Sequence, residues 1–190
     1  MATLTKPRQK LLTAEEFYRL PDPPHGGKME LVEGRVVTHM PVGRPHGRIA
    51  ASGAAELVPF IRQHRLGECH VELGHRTRND PDTVRAPDVS WMSKERLALE
   101  SPAGYMAAAP NLAVEILSPG DTTAELTRKA HEYLAAGSER VWLVRPEQED
   151  VIVLSASGAT VTRAMGDRLT SGDAGFPIEG FSLAVADLFA

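Results

Sequence analysis

The chain has little of several things that would have classified it quickly. Its 190 residues include one cysteine, Cys69, which excludes an internal disulfide and any multi-cysteine zinc site and fits a reducing compartment. The seven histidines are scattered without metal-ligand spacing, so no zinc site is read from them. No run of about 18 apolar residues occurs, which leaves no membrane-spanning candidate. The N-terminal MATLTKPRQKLLTAEEF has basic residues but lacks the apolar stretch of a signal peptide, so a cytoplasmic protein without a membrane partner is expected. Gly-x-x-x-x-Gly-Lys is absent, and so is Gly-x-Ser-x-Gly, which leaves Ser52 and Ser118 without a nucleophile's context. Positive charge is also short: 21 Lys and Arg against 25 Asp and Glu give a net charge of -4. Nucleic-acid binding is therefore not advertised by composition and would need a local patch.

What is present is ordinary globular material, 42% hydrophobic and 24% charged, enough for one good core and short for two. One domain spanning 1–190 is expected, with residues 1–11 as a flexible tail. Thr13-Ala-Glu-Glu16 reads as a capping box, flanked by Leu12 and Phe17 at staple positions. In MELVEGRVVTHM, Glu33-Gly34 between two β-rich segments predicts a hairpin. Ile49, Leu57, Phe60 and Ile61 recur at helical spacing between His46 and His64, with Gly53 and Pro59 as weak points. Strands are expected over residues 68–78, 84–92 and 112–117, then a helix from Thr122 or Thr123 to Ala136, a strand RVWLV, and a hairpin VIVLSASGATVTR turning near Ser157-Gly158. The order predicts a mixed α/β or α+β sheet with helices on its faces.

Polar residues inside apolar strands carry the chemical interest. Leu112 to Leu117 read LAVEIL, with Glu115 the one polar residue among six. Such a carboxylate is costly unless paired, protonated or metal-bound. Asp88 follows Pro87 where a strand begins or bends. Alternation puts Ala86, Asp88 and Ser90 on one face, and Ala113, Glu115 and Leu117 on one face of the other strand. Neighbouring strands would then present both acids together, the geometry of a divalent site with oxygen ligands. Lys129 falls beside Leu126 at the edge of the next helix's inward stripe, where an ammonium could balance charge on a phosphate. Glu30, between Met29 and Leu31, is a fourth candidate. Each also has a bland reading: a partner for an Arg or Lys, a turn former, a rim lysine, an exposed strand residue. Trp91 and Trp142 read as core.

Taken together, MELVEG, His46 with Ile49, APDVSWMSKERL, PNLAVEILSP and KAHEYLAAGSERVWLVRP with Lys129, Tyr133, Gly137 and Trp142 resemble the Uma-two family of restriction endonucleases, in the PD-(D/E)XK nuclease superfamily. The resemblance runs from about Leu12 to the terminal DLFA. It implies a restriction-endonuclease-like fold, a central mixed β-sheet flanked by helices, with additional N-terminal and C-terminal β-hairpins. It implies a catalytic set of Asp88, Glu115, Lys129 and Glu30, with Asp88, Glu115 and Glu30 as ligands of Mg2+ or Mn2+. His46 and Tyr133 would be site-adjacent. The usual Glu-x-Lys lysine would stand at 117, where this chain has Leu117; Lys129 matches the relocated lysine. Arg140 and Arg145 stand where many relatives have acids and fall outside the active-site set.

The expected activity is metal-dependent hydrolysis of phosphodiester bonds, in DNA rather than RNA, by a homodimer whose interface would involve the terminal hairpin. Two alternatives stay open: a nuclease-fold binding or assembly protein without catalysis, favoured by the acidic composition, and a metal-dependent phosphoesterase on a smaller nucleotide. A steep loss of affinity with salt distinguishes a polynucleotide ligand from a small one.

Overall fold

The computed structural model describes residues 10–99 and 104–190. The expected tail, 1–11, lies outside the described residues except for Lys10 and Leu11. Helix α1, Ala14–Tyr18, starts on the predicted capping box: Thr13 accepts from the Glu16 N–H while Glu16 accepts from the Thr13 N–H, satisfying two N–H groups that the helix itself leaves unpaired. Phe17 packs with Leu31, Val84 and Leu12 in a small apolar cluster.

Strands β1, Lys28–Val32, and β2, Arg35–His39, form the predicted hairpin. Glu33 and Gly34 both have positive φ, 49° and 74°, the twist that a two-residue turn requires. Helix α2, Arg44–Gln63, follows with Ile49, Leu57 and Ile61 buried and Pro59 inside it.

The next segments differ from the expectation. Residues 68–78 form two strands, β3 (Gly67–Val71) and β4 (His75–Arg78), and residues 84–92 also divide, into β5 (Thr83–Arg85) and β6 (Val89–Ser93). Each pair is shared between two sheets. The first break falls where Glu72 turns to φ 53° and Gly74 lies so close to the Tyr105 ring that a Cβ would stand 2.3 Å from it. The second break is at Pro87, which cannot donate to a ladder. Neither break has a hydropathy signal, because both flanks are equally β-rich.

After a short helix α3, Lys94–Leu97, come β7 (Leu112–Ile116), α4 (Thr123–Ala135) and β8 (Arg140–Arg145). Thr122 and Glu125 make the second predicted capping box. The remainder is β9 (Asp150–Ser155), β10 (Thr160–Arg163), β11 (Arg168–Thr170), α5 (Ser171–Ala174), β12 (Ser182–Ala184) and α6 (Val185–Phe189).

The main sheet has the order β10-β9-β8-β7-β6-β3 and is mixed, with β7 and β8 parallel across the α4 crossover and its other pairs antiparallel. A second sheet has the order β2-β1-β5-β4, and β11 pairs with β12. The expected additional hairpins are thus built into larger units: β1-β2 belongs to the second sheet, and β9-β10 extends the main one. One face of the main sheet packs Val89, Trp91, Val114, Ile116 and Trp142 against α2 and the C-terminal elements. The other packs Ala113, Val141 and Leu143 against Leu126, Ala130 and Tyr133 of α4.

Candidate active site

The second sheet meets the α4 face of the main sheet, and the predicted acids converge there. Val89 pairs with Val114 in the antiparallel β6-β7 ladder, which sets Asp88, immediately before β6, beside Glu115 in β7. Asp88 Oδ2 accepts the Ile116 N–H at 2.8 Å. Alternation therefore puts both acids on the face away from α2, as the sequence pattern predicts. Glu30 comes from β1 and Lys129 from α4. These four residues, with Lys28, His46 and Arg85 among others, line a pocket of about 290 Å³.

The three predicted acids are buried, Glu30 at 1% exposure, Asp88 and Glu115 at 4% each. Lys129 Nζ lies 2.9 Å from Glu30 Oε1 and 2.9 Å from both oxygens of Glu115, bridging the two sheets. Tyr133 donates to Glu115 Oε1 at 2.7 Å, and His46, in the first turn of α2, places Nε2 3.2 Å from Asp88 Oδ2. Both residues expected beside the site are there.

Three side chains that contact the predicted acids were not anticipated. Arg85 at the end of β5 reaches Glu30 Oε2 at 2.9 Å and Glu132 Oε2 at 2.6 Å. Lys28 at the start of β1 donates to the Ala86 carbonyl at 2.8 Å and to Asp88 Oδ1 at 3.1 Å. His39 Nε2 lies 3.3 Å from Glu30 Oε2. Lys28 had a signal, since it stands two residues before Glu30 in one strand and so shares its face. Arg85 had none: it meets Glu30 through the pairing of Leu31 with Val84, which joins segments far apart in the chain.

The environments separate the acids electrostatically. Burial works against the charge on Asp88, but the His46 hydrogen bond, the Lys28 charge and the Ile116 N–H overcome it and hold the carboxyl at about 2. Glu30 is likewise held well below the ordinary range, burial being outweighed by Lys129, His39 and Arg85. Glu115 goes the other way: burial raises it, Lys129 only partly offsets this, and the Asp88 charge adds to the rise. Lys129 is held charged despite burial by Glu115 and Glu30.

The donor set suits a hard divalent cation. Asp88 and Glu115 each supply a buried carboxylate, held in this structure by the Lys28 and Lys129 ammonium groups. Among the described residues no group of three or more His, Cys, Asp and Glu is placed to hold a metal ion, so a site here rests on two carboxylates. A site of two carboxylates completed by water and substrate oxygens is the Mg2+ type, unlike a closed protein cage. Glu30, expected as a third ligand, has one oxygen on Lys129 and the Ala86 N–H and the other facing Arg85 and His39; Glu115 has both oxygens on Lys129 and one also on Tyr133, so a cation at either acid shares these contacts.

Arg140 and Arg145 lie outside the pocket. Arg140 donates to the Gly172 and Glu139 carbonyls, and Arg145 pairs with Asp150. No described helix is long and apolar enough to cross a membrane.

A mixed sheet flanked by helices, with two acids and a lysine gathered at a bend between strands, defines a nuclease-like fold of the restriction-endonuclease class. The family profile described as Uma2, putative restriction endonuclease, matches residues 14–186; the chain belongs to that family. It is similar to the crystal structure of a putative nuclease of DUF820 from Anabaena variabilis, with 25% sequence identity, a TM-score of 0.73, and coverage of 94% of this chain and 97% of that one. No curated protein matches the sequence.

Proposed function

We propose that the chain is a cytoplasmic endonuclease that hydrolyses phosphodiester bonds in DNA with Mg2+ or Mn2+ held by Asp88 and Glu115. The observation that carries this reading is the convergence of those two buried acids on one face of β6 and β7 with Lys129 beside them. Bound there, the metal would lower the pKa of a water and polarise a phosphoryl oxygen. Lys129 stays protonated between its two acids, so its part is electrostatic: it balances negative charge as the phosphoryl centre passes through its transition state. Glu30 and Arg85 hold that ammonium and its surroundings in place. Tyr133 orients Glu115, and His46 with the Ile116 N–H orients Asp88. A symmetric dimer goes with this reading, since one site per chain cuts one strand. Strand β10, the outer strand of the main sheet with Val161 40% exposed, is the edge such an interface would use.

The test is calorimetric titration of Mn2+ and Mg2+ into the wild type, Glu115→Gln and Asp88→Asn, with plasmid nicking on the same samples. Metal binding lost in both variants, and nicking lost in them and in Lys129→Ala, supports the proposal. A second reading, a non-catalytic binding protein, is favoured by one observation: each acid already has a cationic partner, Lys28 for Asp88, Lys129 for Glu115 and Arg85 for Glu30. No metal binding, with thermal stability lowered in the Gln and Asn variants as Lys129 and Lys28 lose their partners, would establish it.

A further inference from the structure

Resting on that reading of the site, one cation in the pocket has a place of its own. The two oxygens of Asp88 are used differently. Oδ2 is committed to the Ile116 N–H and His46 Nε2, contacts that fix the carboxylate on the main sheet. Oδ1 is left for a cation, and it holds Lys28 Nζ. That ammonium also takes the Ala86 carbonyl oxygen. A carboxylate oxygen and a main-chain carbonyl converging on one positive charge are ligands that a hard metal ion also uses.

We infer that the Lys28 ammonium is a tethered cation in the metal's place on Asp88, and that a divalent ion binds by displacing it. Lys28 is the cation that can leave. Lys129 touches two buried carboxylates and would strand both, and Arg85 is held by Glu30 and Glu132. Lys28 touches one carboxylate, at 3.1 Å, and its side chain is 18% exposed against 12% for Lys129. It is the first residue of β1 and lines the open pocket. Charge balance points the same way. Glu30, Asp88 and Glu115 face Lys28, Arg85 and Lys129, so an incoming divalent ion creates a positive excess that is relieved when one ammonium moves to the mouth of the pocket, where a phosphate would arrive.

The experiment is calorimetric titration of Mn2+ into the full chain carrying Lys28→Met, Lys28→Gln or Lys28→Arg, beside the wild type, with thermal unfolding of each with and without Mn2+. Removing the competing charge should tighten Mn2+ binding about tenfold in Lys28→Met and Lys28→Gln, while Lys28→Arg binds no tighter than wild type. The unfolding midpoint of the two neutral variants should be lower than wild type without metal and rise further on adding it. Binding by neutral variants where the wild type binds none also supports the inference. Equal or weaker binding in the neutral variants overturns it and leaves the metal site itself standing. Absence of binding in every chain overturns it together with the metal reading. Should both neutral variants fail to fold, a Mn2+-soaked crystal of the wild type decides: Lys28 Nζ still on Asp88 Oδ1 beside a bound ion overturns the inference, and Lys28 turned away supports it.

Discussion

Strands β6 and β7 serve two regions at once. Toward α2 they present Val89, Trp91, Val114 and Ile116, which join Trp142, Ile49 and Leu57 in an apolar core. Toward α4 and the second sheet the same strands present Asp88, Ser90, Ala113 and Glu115. On the first side each contact is non-directional and contributes through area removed from water and close packing. On the second, desolvation of three acids is set against ion pairs and hydrogen bonds, terms that nearly cancel in buried pairs. The larger apolar core thus lies on the α2 face, and a smaller one lies under α4. Beside that smaller core the opposite face carries charge whose net contribution to stability is small and whose arrangement suits a ligand.

That contrast can be broken most forcefully from the apolar side. Trp142 is fully buried and donates its indole N–H to the Asp173 carbonyl at 2.7 Å; Trp142→Ala should lose about 3–5 kcal/mol in urea denaturation. The Mn2+ affinity of the folded fraction should stay at the wild-type value. A parallel loss of affinity would show that the two faces are not separable.

A smaller effect, with a pH signature, belongs to the polar side. Asp88 is held at about 2 against an ordinary 3.8, so its contribution is present above the ordinary value and is lost as pH falls through about 2. That loss amounts to roughly 2 kcal/mol between about pH 4 and pH 2. Asp88→Asn should flatten this part of the stability profile while Glu30, lowered likewise, keeps its own share of the slope. Glu115 has the opposite sign: raised above the ordinary 4.5, it contributes stability below that value which is lost as pH rises through the raised one. A wild-type profile unchanged by Asp88→Asn would mean the carboxyl is not held by its partners.

The smallest effect is expected at a charge of the same sheet outside the pocket. Arg145 pairs with Asp150 at the end of β8, partly in solvent, where such pairs contribute about 1 kcal/mol or less. Arg145→Ala should stay within that margin and leave metal binding untouched. A larger loss would extend the polar region beyond the pocket.

Much of the site was legible because it violates local pattern. Glu115 interrupts an apolar strand, Asp88 follows a proline, and Lys129 stands on the rim of an apolar stripe, each a conflict between a residue and its neighbours. Lys28 and Arg85 violate nothing nearby: a lysine opening a strand and an arginine closing one are ordinary until the partner is known. The division of residues 68–78 and 84–92 between two sheets was illegible for a related reason, since β-propensity reports that a segment is extended and says nothing about which neighbour it pairs with.

From the sequence alone came what depends on residues within a few positions of one another: the capping boxes at Thr13 and Thr122, the Glu33-Gly34 turn, the helical stripes, and the alternation that sends acids and apolar side chains to opposite faces of β6 and β7. Tertiary structure decided what depends on distant segments, with Glu30 and Arg85 55 positions apart and Lys28 and Asp88 60 apart. The physical reason is that periodicity sets which way a side chain points, while its partner is set by strand pairing between the sheets, and a buried charge becomes tolerable only when that pairing brings its counter-ion.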